Sequence, residues 1–220
     1  MSDLPPLSIS FDGLYAYAGG QRWDLLGVAD AEQHLFVSPP HGGTVERIYW
    51  IQFEEFLPGN AHTYDYPRER TVDIAGLEFL HDTRAYTNFE LANRKPGSDG
   101  AYARTLLAAQ GFRLPGPAMR TRMIHLPTAD RRSELMIIYV RAVDASPTEG
   151  GGQLDEEAPD AARSVLTEAL NGMRVERPPS SSWKRQVLRT RGPTGLDRAT
   201  LTRGGTCVKG FLRGPGRPLH

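Results

Sequence analysis

Apolar and polar positions alternate along most of this chain, so the pattern predicts strands before it predicts helices. The densest signal lies at residues 120–143, two apolar runs joined by a polar turn at 127–132. In the second run Leu135, Ile137 and Tyr139 alternate with Met136, Ile138 and Val140, so both sides are apolar. That is the pattern of a strand covered on two faces, and it places this hairpin at the centre of a sheet.

Further strands follow from the same period of two. Leu7, Ile9, Phe11, Tyr15 and Tyr17 mark one at 7–17, which Gly19 and Gly20 are expected to break, and shorter ones are predicted at 23–28 and 35–37. Residues 45–57 read as the longest strand, with Val45, Tyr49, Ile51, Phe53 and Leu57 on one face and Glu46, Trp50, Gln52 and Glu54 on a mixed, wetter one. The turn residues Pro58, Gly59 and Asn60 predict that 61–66 runs back as its hairpin partner. Strands are also predicted at 72–80 and 85–91.

Two segments change period. Residues 101–110 read as a short helix capped by Ser98 or Asp99 and ended by Gly111. From Pro159 onward, Ala162, Val165, Leu166, Ala169, Leu170 and Met173 recur at spacings of three and four, behind the acidic residues Asp155, Glu156, Glu157 and Asp160 that suit a helix N-terminus. Between these, 146–157 with its glycines at 150–152 is expected as a linker or surface loop. The expected fold is α+β: a largely antiparallel sheet of about six to eight strands with two helices packed on it, in one domain over 1–179.

Composition supports a globular domain, with 39% hydrophobic and 24% charged residues in a chain of 220. No apolar run approaches the roughly 18 residues of a membrane span, and the first residues show no leader pattern, so no membrane role and a cytoplasmic location are expected. A single cysteine, Cys207, makes neither an internal disulfide nor a thiolate metal site. The net charge of zero is unevenly spread: 184–220 carry nine Lys or Arg against Asp197 alone, leaving a net of −8 on 1–183. The segment 180–220 has seven glycines after Lys184 and no sustained periodicity, so it is expected to be a disordered basic tail.

The candidate chemistry is modest. In an extended segment His62, Tyr64 and Tyr66 project from one side, and together with Trp50, Gln52 and Glu54 they make a polar-aromatic surface or pocket. His81 and Asp82 are adjacent on a strand and point to opposite faces, so they do not form an acid–base couple with each other. Arg120 and Arg122 share a face and suit an anion, unless they pair across strands with acids such as Asp130 and Glu134. No Gly-x-Ser-x-Gly elbow, phosphate-binding glycine motif or histidine metal motif occurs, so neither a cofactor nor a metal is expected. The expected role is a non-enzymatic binding or accessory domain for a small molecule or protein partner. One alternative is an enzyme using His62 or His81 as base and Arg120 or Arg122 for an anion. Another is a nucleic-acid-associated protein acting through its tail.

Overall fold

The computed structural model describes residues 7–66, 70–93 and 95–177 with their side chains, and the backbone alone of 197–203 and 206–212. In chain order the strands are β1 (Ser8–Phe11), β2 (Ala16–Leu25), β3 (Ala29–Val37), β4 (Arg47–Phe56), β5 (Thr71–Ile74), β6 (Leu77–Tyr86), β7 (Ala118–His125), β8 (Ser133–Ala142), β9 (Gly152–Gln153), β10 (Met173–Glu176), β11 (Asp197–Arg203) and β12 (Thr206–Leu212). The helices are α1 (Phe89–Ala92), α2 (Asp99–Ala109), α3 (Leu154–Glu157) and α4 (Pro159–Asn171). They form an α+β fold around one sheet ordered β10-β1-β12-β2-β3-β4-β8-β7-β6-β5, with β11 on β12 and β9 on β6. Every pairing is antiparallel except those of β12 with β1 and β2.

The apolar hairpin β7–β8 lies inside this sheet, and β8 pairs along its length with β4, in a register that sets Tyr49 against Tyr139, Ile51 against Ile137 and Glu54 against Glu134. Both faces of β8 are covered, as its continuous apolar pattern demands. Helix α4 closes one face: its Ala162, Val165 and Ala169 join Tyr49, Ile51, Met123, Ile137 and Tyr139 in one core. Helices α1 and α2 close the other, where Phe89, Ala103 and Leu107 pack with Leu35, Trp50, Ile138 and Val140. Helix α4 is also pinned by polar bonds. The Tyr49 hydroxyl donates to the Ala169 carbonyl at 2.7 Å, and Glu168 accepts from Arg47 at 2.8 Å, Arg141 at 2.7 Å and Tyr139 at 2.8 Å.

Several elements differ from the sequence expectation, each for a local reason. The strand read at 7–17 is two strands, because a turn closed by Tyr15 N–H on the Asp12 carbonyl interrupts it. Gly19 does not end β2; at φ 138° it sits in a bulge that the strand passes through. The segment 72–80 is a hairpin, β5 turning into β6 at Ala75 and Gly76, both at positive φ. The alternation at 85–91 splits between the end of β6 and the single turn α1, which Asn88 caps. Residues 61–66 form no strand, because β3 and β8 already occupy both edges of β4. Within the expected loop 146–157, β9 and α3 are ordered around the fully buried Leu154. Of the basic tail, 180–196, 204–205 and 213–220 lie outside the described residues, while the backbone of β11 and β12 forms an antiparallel hairpin whose second strand pairs with β1.

The turn from β2 to β3 holds Leu26 at φ 57° and Gly27 at φ 71°, with the Leu26 side chain 77% exposed. Two residues at positive φ are the requirement of a type I′ hairpin turn, which Asn-Gly meets and a leucine meets only with strain. Replacing Leu26 by Asn is therefore expected to stabilise the protein by about 1 kcal/mol. Chemical denaturation would show this as a raised midpoint at unchanged slope; an unchanged or lowered midpoint would mean that the leucine side chain makes contacts offsetting its strain. No helix among the described residues is long and apolar enough to cross a membrane.

Candidate functional site

The face of the sheet beneath α2 carries a polar network on an otherwise apolar surface. On β4 the alternation sends Trp50, Gln52 and Glu54 to this side, and all three are buried rather than wet. Trp50 Nε1 donates to Gln52 Oε1 at 2.7 Å, and Gln52 Nε2 donates in turn to Glu54 Oε1. Directly opposite on β8 stands Glu134. Glu54 is 5% exposed and Glu134 2%, so two carboxyl groups stand side by side in a buried site, where a proton held on the pair relieves their like-charge repulsion.

Residues 57–66 cross over this pair as a strap without regular structure. The Tyr64 hydroxyl donates to Glu54 Oε2 at 3.1 Å and the Tyr66 hydroxyl to Glu134 Oε2 at 2.7 Å. Their rings lie parallel, 6.4 Å apart, and Tyr64 stacks on Phe56 at 4.5 Å. The backbone of the strap is held from the β7–β8 turn: Tyr64 N–H donates to the Arg131 carbonyl at 2.8 Å, and the Arg132 guanidinium donates to the carbonyls of Phe56, Leu57, Asn60 and His62.

On the far side of the network one carboxylate is shared by two arginines. Asp82 on β6 accepts from Arg120 at 2.8 Å and from Arg122 at 2.8 and 2.6 Å, and the Arg122 guanidinium lies 5.5 Å from the centre of the Tyr66 ring. Burial would raise the Asp82 pKa, but the two guanidinium charges outweigh it and hold the carboxyl below the usual range. The opposite holds at the acid pair. Burial, then the nearby charge of Asp99, push Glu54 up to about 7 against the lowering effect of its Gln52 and Tyr64 bonds. Burial, then Glu54 itself, push Glu134 up to about 8. Asp99, the first residue of α2, is raised too, chiefly by burial. Gln33, fully buried on β3 opposite Gln52, has no hydrogen-bond partner for either amide atom among the described residues.

Beside this network the sheet edge opens. Strand β5 pairs with β6 only as far as Leu80, and β9 pairs with it only at Arg84 and Ala85, so on the side away from β7 no strand among the described residues pairs with 81–83. The gap is partly filled by Asp155, which accepts from Thr83 N–H at 2.6 Å and Gln153 Nε2 at 2.6 Å. What remains is a cleft of about 370 Å³, walled by Tyr66, His81, Asp82, Arg122 and Asp155, with Arg70, Arg84 and Glu156 also lining it. His81 Nδ1 is buried with no hydrogen-bond partner among the described residues, and burial lowers the His81 pKa, which keeps the ring neutral at pH 7.

Of the residues singled out from the sequence, Trp50, Gln52, Glu54, Tyr64, Tyr66 and Arg122 come together here, and Arg120 joins them through Asp82. His62 does not: it is exposed on the strap, its ring 6.0 Å from that of Phe56. His81 belongs to the opposite face, beside Met123, and reaches the cleft only through the edge gap. Asp82, Asp99 and Glu134 were not singled out as site residues. A signal existed for Glu134, a carboxylate preceding an apolar run, but only the β4–β8 register reveals that it faces Glu54. Among the described residues no group of three or more His, Cys, Asp or Glu is placed to hold a metal ion. The architecture defines an α+β class of protein with a helix-covered antiparallel sheet; no protein-family model, no curated protein and no solved structure matches the chain.

Proposed function

We propose that this chain is a non-enzymatic binding domain that takes a small polar molecule in the cleft at the β6 edge. The observation that carries the reading is the convergence, around about 370 Å³, of donors and acceptors already held in position by their own partners. Arg122 is fixed by Asp82, Tyr66 by Glu134 and Asp155 by Thr83 and Gln153, while Nδ1 of the neutral His81 ring has no partner among the described residues. Pre-positioned groups lose little freedom on binding, which favours affinity. Because the arginines that line the cleft, Arg70, Arg84 and Arg122, are matched by Asp82, Asp155 and Glu156, a neutral or zwitterionic ligand suits the site better than a phosphate.

The geometry favours binding over acid–base chemistry. Glu54 and Glu134, both with raised pKa values, are buried behind Tyr64 and Tyr66, and both arginines that could grip an anion are engaged with Asp82. The nucleic-acid alternative rests on tail side chains that lie outside the described residues.

Native mass spectrometry of the full chain tests the proposal. The full chain is required because β12 is a strand of the sheet. A reproducible added mass, lost on denaturation and lost in His81→Ala, is the expected result. A bare wild-type chain that also takes up none of a panel of polar small molecules would remove the reading.

A further inference from the structure

The strap over the acid pair supplies a wall of the cleft, since Tyr66 both lines the opening and donates to Glu134. We propose that Glu54 and Glu134 act as a single-proton latch: with their shared proton in place they hold Tyr64, Tyr66 and the 57–66 strap on the sheet, and loss of that proton releases the strap and opens the cleft.

The geometry carries this in three steps. Glu54 and Glu134 are direct register partners on adjacent strands, so the β4–β8 ladder at the centre of the sheet keeps their side chains next to each other. Removing the proton therefore leaves two like charges in contact at a site sealed from water. The charged and titratable groups facing the pair give limited relief. Arg122 on β7 is the nearby cation, but Asp82 on β6 already takes its charge; Asp99 on α2 adds an acid; Tyr64 and Tyr66 on the strap donate neutral hydrogen bonds. Those phenol bonds favour ionised carboxylates, yet burial and the neighbouring acids outweigh them and leave both glutamates raised.

The repulsion is relieved by admitting water, and the cover that yields most easily is the one without ladder hydrogen bonds. The described strap is held by the two phenols, by Tyr64 N–H on Arg131, by the Arg132 contacts, by Leu57 N–H and Asn60 on the Val28 carbonyl and by an exposed Asp65–Arg131 pair at 3.2 Å. Helix α2 and the flanking strands carry continuous backbone bonding and deep apolar contacts instead. The latch regulates the cleft, and in that respect rests on the proposed binding function; the motion of the strap does not.

Amide exchange of residues 57–66, measured on the ligand-free full chain from about pH 6 to about pH 9 and corrected for intrinsic rates, reads the latch without reference to any ligand. One proton released per opening makes protection fall by about tenfold per pH unit while the closed pair still holds its proton, and level off once pH passes the pair's raised ionisation. Glu134→Gln and Glu54→Gln, which replace the shared proton with an amide donor, are expected to abolish that slope. Asp99→Asn, which removes an acid on α2 rather than one bonded to the strap, keeps it. The double variant Tyr64→Phe with Tyr66→Phe exchanges fast at every pH, and serves if either glutamine variant does not fold. Wild-type protection independent of pH, or an equal slope in the glutamine variants, overturns the latch. A pH-dependent strap in a chain that binds no small molecule would leave the latch standing and remove only the binding function.

Discussion

Glu134→Gln is expected to stabilise the folded chain by roughly 2 kcal/mol near pH 9 and to flatten the decline in wild-type stability between about pH 5 and pH 8. In the unfolded chain Glu54 and Glu134 ionise near the ordinary carboxyl value, whereas in the fold they retain a proton up to about 7 and about 8. Across that window the native state binds more protons than the unfolded state, so stability falls as pH rises. The contribution of the pair is complete below the ordinary carboxyl value and lost once pH passes the raised values. An amide at 134 donates to Glu54 without titrating, so the variant keeps the bond and avoids the repulsion. Equilibrium denaturation at a series of pH values measures this; a variant as pH-dependent as the wild type would show that the decline arises elsewhere.

Asp82→Ala is expected to cost about 3 kcal/mol, because it leaves Arg120 and Arg122 together without their counter-charge in a partly buried site. The pH sign is opposite to that of the acid pair. Asp82 is held below its usual range, so its contribution is present above the ordinary Asp value and disappears as pH falls through the lowered one. Glu168 behaves likewise: burial would raise it, but its bonds to Tyr139 and Arg47 and the charge of Arg141 hold it down. Wild-type stability should thus decline on both sides of a maximum near about pH 5, with the acid limb weakened in Asp82→Ala. Denaturation midpoints near neutral pH test the magnitude. A loss under about 1 kcal/mol would mean that solvent and the rings of Tyr66 and Tyr86, which lie against the two guanidiniums, stabilise the cations unaided.

Both results bear on the same surface, and the sequence made half of it visible. Trp50, Gln52 and Glu54 could be placed on one face because side chains in a strand alternate, and Tyr64 and Tyr66 could be paired because they stand two residues apart in an extended segment. The same rule failed to show that this mixed face of β4 is buried, since alternation says which side chains share a face and not what covers it. Helix α2 and the strap supply that cover, and they convert an apparently wet surface into a buried hydrogen-bonded network.

What the sequence determined by itself was local. The β7–β8 hairpin follows from two-sided apolar alternation, α2 from the Ser98 cap and Gly111, and α4 from apolar spacings of three and four behind an acidic first turn. The α+β class follows from those periods together. Only the tertiary structure decided that Glu54 meets Glu134, that Asp82 claims both Arg120 and Arg122, and that His81 reaches a cleft through a gap in the edge while His62 remains on the surface. Each of these depends on strand register and on which neighbour fills an edge. Such pairings join residues tens of positions apart, and no local periodicity records them.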